Sequence, residues 1–224
     1  DDEDRGAPVL EEAELNKLVD GFKTKTLYVI VAVGALTGMR RGEIAGLKWS
    51  DFDPESKTLR ITRSLEYTAE AGLQFKVPKS KRGRRTITID DGLVGLLLKE
   101  KEKHLRIAAG VPATADVDLS LIKLPAEAMI FPSPDGTLTT PRHPSGITTM
   151  FGKYAPKLGF PGAQFKSLRA SHGTLLLDKG VPVHVVATRL GHDPVILLKH
   201  YAKRTRKSDQ NAAAVIAQLS RNLT

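Results

Sequence analysis

Between residues 58 and 89 the chain leaves a helical pattern, adopts a strand pattern and then returns. That switch limits the possible fold more than any other feature. TLRITR (58–63) alternates apolar and polar residues, and RRTITI (84–89) alternates with β-branched residues. Both show the two-residue repeat of a strand with one buried face. LQFKVP (73–78) is short and extended, and Gly72 and the basic KSKRG stretch (79–83) supply turns. The expectation is a small three-stranded antiparallel sheet inside a mainly helical α+β chain.

Helical patterns flank the sheet. Leu10 to Phe22 places Leu15, Leu18, Val19 and Phe22 on one face. The apolar run TLYVIVAVGAL (26–36) fits a buried strand as well as a buried helix, and Thr37-Gly38 ends it. A short helix is expected over 41–47, and longer ones over 90–105, 145–158, 167–179, 182–190, 194–202 and 208–221. Gly180 and Gly191 read as helix stops, and Pro182 and Pro194 as first-turn prolines. Residues 106–130 have no clear pattern, and 132–144 read as loop. Residues 1–8 (DDEDRGAP) read as a linker.

Charge narrows the partner. The net charge is +9, but residues 1–20 hold eight acids and two bases, so the rest of the chain carries +15. Such a body suits a polyanion. With aromatics at 5% and a single Trp, stacking on unpaired bases is disfavoured. The absence of cysteine excludes disulfides, thiolate chemistry and Cys-ligated zinc. No apolar run reaches membrane-spanning length, and the acidic start has no signal-peptide core.

Four clusters can carry chemistry, and each also has a plain structural reading. TGMRRGE (37–43) sets Arg40 and Arg41 at the mouth of a helix, with Glu43 one turn on to hold them; a surface ion pair looks the same. KVPKSKRGRR (76–85) gathers Lys76, Lys79, Lys81, Arg82, Arg84 and Arg85 without an acid. As a hairpin it suits a phosphate backbone, or blunts a sheet edge. In FKSLRASH (165–172), Lys166 and Arg169 share a helix face. In LGHDP (190–194), Gly191 breaks a helix and His192 sits in the turn. Tyr201 follows nine residues later, near the end of the next helix. An ordinary core tyrosine fits the same pattern.

In order, these clusters resemble the tyrosine recombinase (phage integrase) family. Its pattern is T-G-[LM]-R-x-x-E, a hairpin Lys, His-x-x-Arg, L-G-H and a Tyr nine or ten residues later. Here the matching positions are Thr37–Glu43, Lys79, Lys166–Arg169, Leu190–His192 and Tyr201, with LLLDKGVPVHVVATRLGH joining the last segments. One position departs: Lys166 stands where the family usually has His. A protonated Lys donates only, whereas His can also accept a proton.

The resemblance implies the catalytic-domain fold of these recombinases over residues 9–207. The acidic start would be the linker from a preceding core-binding domain, and 208–224 a C-terminal helix that docks in trans. It further implies site-specific strand exchange on double-stranded DNA through a 3′-phosphotyrosine on Tyr201, with no cofactor, metal or ATP. Arg40, Lys166, Arg169 and His192 would bind the phosphate, Lys79 would protonate the leaving 5′-oxygen, and Glu43 would orient Arg40. A tetramer on DNA, accessory DNA-bending or directionality proteins and a bacterial cytoplasmic setting belong to the same picture. Three rivals stand beside it. An inactive DNA-binding relative would share the fold, and a type IB topoisomerase shares the chemistry but fits the L-G-H-to-Tyr spacing less well. A basic helical binding module explains the charge but not the ordered motifs.

Overall fold

The apolar run settles as a helix. In the computed structural model, which describes residues 6, 8–78, 81–134, 136–195 and 197, α2 spans Tyr28–Thr37 and is buried nearly all round. Burial on every side explains why its sequence carries no helical stripe. Several helices cover it. Helix α1 (Glu12–Gly21) contributes Leu15 and Leu18, with Phe22 just beyond its end. Helix α6 (Phe165–Asp178) lies so close that a Cβ on Gly34 would stand 3.0 Å from Leu168. Leu10 N–H donates to Ser171 Oγ at 2.8 Å, tying the start of the described chain to α6.

The short helix α3 (Arg41–Ala45) follows α2, and a 3₁₀ turn (Trp49–Asp51) leads into the strands. Strands β1 (Phe52–Asp53), β2 (Thr58–Ile61) and β5 (Arg85–Thr88) form a three-stranded antiparallel sheet in the order β1-β2-β5. Leu59 faces Phe52 on one side and Ile87 on the other, and Leu59, Ile61 and Ile87 enter the core. The alternating segments 58–63 and 84–89 are therefore neighbouring strands, as their pattern requires. The third member differs from expectation. LQFK belongs to β4 (Gly72–Lys76), which pairs only with β3 (Ser64–Thr68) in a separate hairpin, and Phe52–Asp53 supplies the missing strand. A two-residue strand is too short to leave a period in sequence.

Helix α4 (Asp91–Ala109) starts on the Asp90 side chain, which accepts from Leu93 N–H at 3.1 Å. It ends on Gly110 in the left-handed region, at φ 67°. Helix α5 (Pro144–Tyr154) begins with proline in its first turn, and α7 (Val183–Leu190) ends on Gly191. Pro182 stands at the N-cap of α7 rather than inside it. The expected helix 208–221 lies outside the described residues, as does most of 194–202.

Among the described residues, the buried side chains form two clusters. The larger joins α1–α6 and the sheets. A satellite unites Leu177, Val186, Ala187, Leu190 and Leu197 beneath α6 and α7. Gly38 lies at the joint, at φ 66°, and a Cβ there would stand 2.5 Å from Leu190 and 2.8 Å from His172. Gly72 has the same φ of 66° but nothing within 4 Å. Gly38→Ala is therefore expected to cost about 2–4 kcal/mol in a urea unfolding series, strain and overpacking adding. Gly72→Ala is expected to lose only the strain part. Equal losses would contradict the packing argument.

Candidate active site

Chain direction reverses at Gly38, and Arg40 becomes the N-cap of α3, with extended backbone. Glu43 lies three residues on, and its Oε2 accepts the Arg40 backbone N–H at 2.8 Å while its Oε1 meets Arg40 Nη1 at 3.3 Å. Glu43 is nearly fully buried, which by itself would favour the neutral acid. Hydrogen bonds from Arg85, and the charges of Arg85, Arg169 and Arg40, outweigh that burial and hold its carboxyl below the usual range.

Arg169 joins two of the sequence clusters. Its Nη1 donates to Gly38 O at 2.7 Å and its Nη2 to Leu190 O at 2.8 Å. One planar guanidinium thereby fastens the turn before Arg40 to the turn before His192. Arg169 is only 3% exposed, although its three-residue spacing from Lys166 puts both on one helix face. Arg40, Lys166 and Arg169 all line one cleft of about 210 Å³, with Met39, Arg41 and Thr148 around them. Arg41 is held there by Thr148, with Nη1 donating to Oγ1 at 2.5 Å.

The turn at Leu190-Gly191-His192 closes α7 in a left-handed glycine, and His192 N–H donates back to Ala187 O at 2.9 Å. Its anchor went unnoticed in the sequence. Arg189 donates from Nε to His172 Nε2 (3.0 Å), from Nη1 to Thr88 O (3.0 Å) and from Nη2 to Leu36 O (3.1 Å). His172 completes the link through Nδ1, 2.9 Å from Ala35 O. Only the tautomer with the proton on Nδ1 serves both contacts. Arginine density beside a glycine break was the only available signal, and it does not specify partners.

The basic segment 76–85 is not a single hairpin. It crosses from β4 in one sheet to β5 in the other, through a 3₁₀ turn at Lys81–Gly83. Arg85, expected to contact DNA, is corrected by its geometry. Its side chain is 5% exposed and binds Glu43 with Nη1 and Nη2, each at 2.9 Å, and Arg189 O with Nε at 2.7 Å. A pairing partner buried beside it, absent from the local sequence, turned this arginine inward. Arg82 remains exposed but is ion-paired with Asp193, next to His192. Lys76 pairs with Glu66 across the β3–β4 hairpin at 2.7 Å, and Arg84 is exposed. Lys79, Tyr201 and the side chain of Lys81 lie outside the described residues.

The profile of the phage integrase family matches residues 8–208. The chain belongs to the phage integrase family. Relatives include a tyrosine recombinase XerC-like protein of Caldanaerobacter subterraneus subsp. tengcongensis, 25% identical over 219 residues, covering 93% of this chain and 53% of the relative. The integrase of Staphylococcus phage L54a is 26% identical over 193 residues, covering 84% and 51%. The chain thus spans about half the length of these curated relatives. Among solved structures, the Tn1549 transposon integrase in complex with a circular intermediate DNA matches with a TM-score of 0.73 at 16% identity, over 95% of this chain and 66% of that one. XerA recombinase matches with a TM-score of 0.62 at 21% identity, over 89% and 64%. These likenesses establish the family fold, α+β and mainly helical with a small antiparallel sheet. Among the described residues no helix is long and apolar enough to cross a membrane.

His172 gives the site a pH limit. Burial, then the Arg189 and Arg169 charges, lower its pKa to about 4 against the pull of the Ala35 carbonyl. In the unfolded chain an imidazole titrates near ~6.5. As pH falls between these values, the unfolded state takes up a proton that the folded state refuses, so stability is lost. The full shift corresponds to roughly 3 kcal/mol. Denaturation at about pH 7.5 and about pH 4.5 is expected to show this loss, and His172→Gln to show a shallower pH dependence. Equal pH dependence in parent and variant would contradict it.

Proposed function

We propose that this chain is the catalytic part of a site-specific DNA recombinase that cleaves and rejoins strands through a 3′-phosphotyrosine on Tyr201. The observation that carries the reading is the gathering of Arg40, Lys166 and Arg169 around one cleft, beside the turn that bears His192. Three cations and a small cleft suit a single DNA phosphate. As the Tyr201 hydroxyl attacks, the phosphorus passes through a five-coordinate state with extra negative charge on its non-bridging oxygens. Fixed donors stabilise that charge without waiting for solvent to reorganise. Arg40 offers a planar fork, Arg169 adds its positive charge at the cleft wall from a guanidinium held by the Gly38 and Leu190 carbonyls, and His192 adds a donor.

The phosphorus–O5′ bond breaks as the bond to Tyr201 forms. Lys79 gives its proton to the leaving 5′-oxygen, and Tyr201 loses its own, helped by the surrounding positive charge. A second 5′-hydroxyl later attacks the phosphotyrosine and reseals the strand. The bond energy is conserved, so the exchange needs no ATP, and the cationic side chains supply the charge stabilisation that a metal gives in many phosphoryl-transfer sites. Lys166 donates a hydrogen bond to the phosphate and does not act as a base. In this reading Lys76, Lys81, Arg82 and Arg84 line the DNA backbone around the cleft, and residues 1–8 link to a preceding DNA-binding domain. Val215, Ile216 and Leu219 in the tail, on one face at helical spacing, suit docking on a neighbouring protomer of a tetramer on DNA. The working setting is the bacterial cytoplasm, with accessory DNA-bending or directionality proteins as further partners.

The test is covalent capture on a nicked suicide substrate carrying the element's own junction. Parent protein is expected to form a denaturation-resistant adduct, and Tyr201→Phe none. Arg40→Ala is expected to slow capture by roughly 100-fold or more, the scale of losing one preorganised donor. Near-parent capture by that variant would remove Arg40 from the site. Lys166→His is expected to keep or raise the rate, and a large loss would mean that the ammonium itself is required. DNA binding without any adduct from the parent would favour the inactive relative instead.

A further inference from the structure

Glu43 carries one negative charge and stands between two arginines. Arg85 takes it with a two-pronged pair: Nη1 to Oε1 and Nη2 to Oε2, each at 2.9 Å. Arg40 reaches the same carboxylate more weakly through its side chain, at 3.3 Å, and more firmly through its backbone N–H, at 2.8 Å. The Arg85 side chain is 5% exposed, whereas that of Arg40 keeps 20% and stands on the cleft wall. The shared acid therefore belongs chiefly to the arginine that cannot reach the cleft.

We infer that Arg85 is a positioning residue: it occupies the Glu43 carboxylate, so that Glu43 orients Arg40 without neutralising it. The inference rests on the recombinase reading of the cleft. Its physical basis is competition. Were Arg85 neutral, Glu43 would remain a buried carboxylate near the charges of Arg169 and Arg40, and Arg40 is the one already hydrogen-bonded to it. A buried unpaired charge is costly, so the Arg40 guanidinium would turn from the cleft to make the fork-to-fork pair itself. The same Arg85 also reaches the other motif. Its Nε donates to Arg189 O at 2.7 Å, and a Cβ on Gly191 would stand 2.9 Å from its Nη1. One side chain thus fixes the acid behind Arg40 and the turn that presents His192. A lysine cannot substitute, because a point charge cannot hold both carboxylate oxygens and the Arg189 carbonyl in one plane.

The experiment is a charge cycle in this chain: parent, Arg85→Gln, Glu43→Gln and the double variant, with folding checked by urea midpoints. Two quantities are read: the rate of adduct formation on the nicked DNA, and the slope of log affinity for that DNA against log salt concentration. Arg85→Gln is expected to slow adduct formation by about 10-fold or more, the scale seen when a supporting partner of a site residue is removed. It is expected to flatten the salt slope by about one, as one phosphate-directed cation turns away. The double variant is expected to recover most of both, because no acid remains to capture Arg40. A merely structural Arg85 would give a double variant no better than Arg85→Gln, and that result would overturn the inference. So would parent rate and slope in Arg85→Gln. Should Arg85→Gln fail to fold, Arg85→Lys with and without Glu43→Gln forms the cycle. A parent that binds DNA but forms no adduct would sink the recombinase reading, and the four salt slopes would still decide the role of Arg85.

Discussion

The site depends on one buried guanidinium that holds backbone from two separate turns. Arg169 bridges Gly38 O and Leu190 O, two backbone carbonyls far apart in the chain. Burying so large a cation is unfavourable unless its donors are matched. Here matching them is the same event as bringing the Gly38 and Leu190 turns together. The larger hydrophobic cluster stops short of α7, which packs with Leu177 of α6 and Leu197 in the smaller satellite. Arginine–carbonyl bonds, together with the close contact of Leu190 against Gly38, therefore carry much of the joint.

The arginines divide the work by depth. Arg189 pins the end of α7 to Leu36, Thr88 and His172, and Arg85 pins it to Glu43. Arg40 and Arg41 remain along the cleft. Rigid donors held by a buried second layer are what electrostatic stabilisation of a transition state needs, since they do not have to reorganise as charge develops. The neutral state of His172 fits this arrangement. It accepts from Arg189 and adds no further positive charge to a region already crowded with it.

What the sequence revealed follows range along the chain. Arg40 and Glu43 are three residues apart, so their pairing could be read directly. The stop at Gly191 and the strands 58–61 and 85–88 are also local signals. The partners of Arg85 could not be read, because Glu43 lies 42 residues earlier and only the fold brings it near. An isolated basic run looks the same whether its arginines face solvent or core, and Arg85 was misassigned to DNA for that reason. The burial of Arg169 could not be read either, because α6 is covered on nearly all sides and a helix so covered carries no clear polar stripe. The apolar run of α2 hid its helical nature by the same physics.

The most direct test of the account is chemical identification of the residue that holds DNA. After reaction with a nicked junction, the trapped protein would be digested with protease and nuclease and its peptides analysed by mass spectrometry. The account requires a nucleotide 3′-phosphate on Tyr201, in a peptide absent from protein kept without DNA. DNA attached at another residue, or strands cut to free 3′-phosphates with no protein bound, would contradict it.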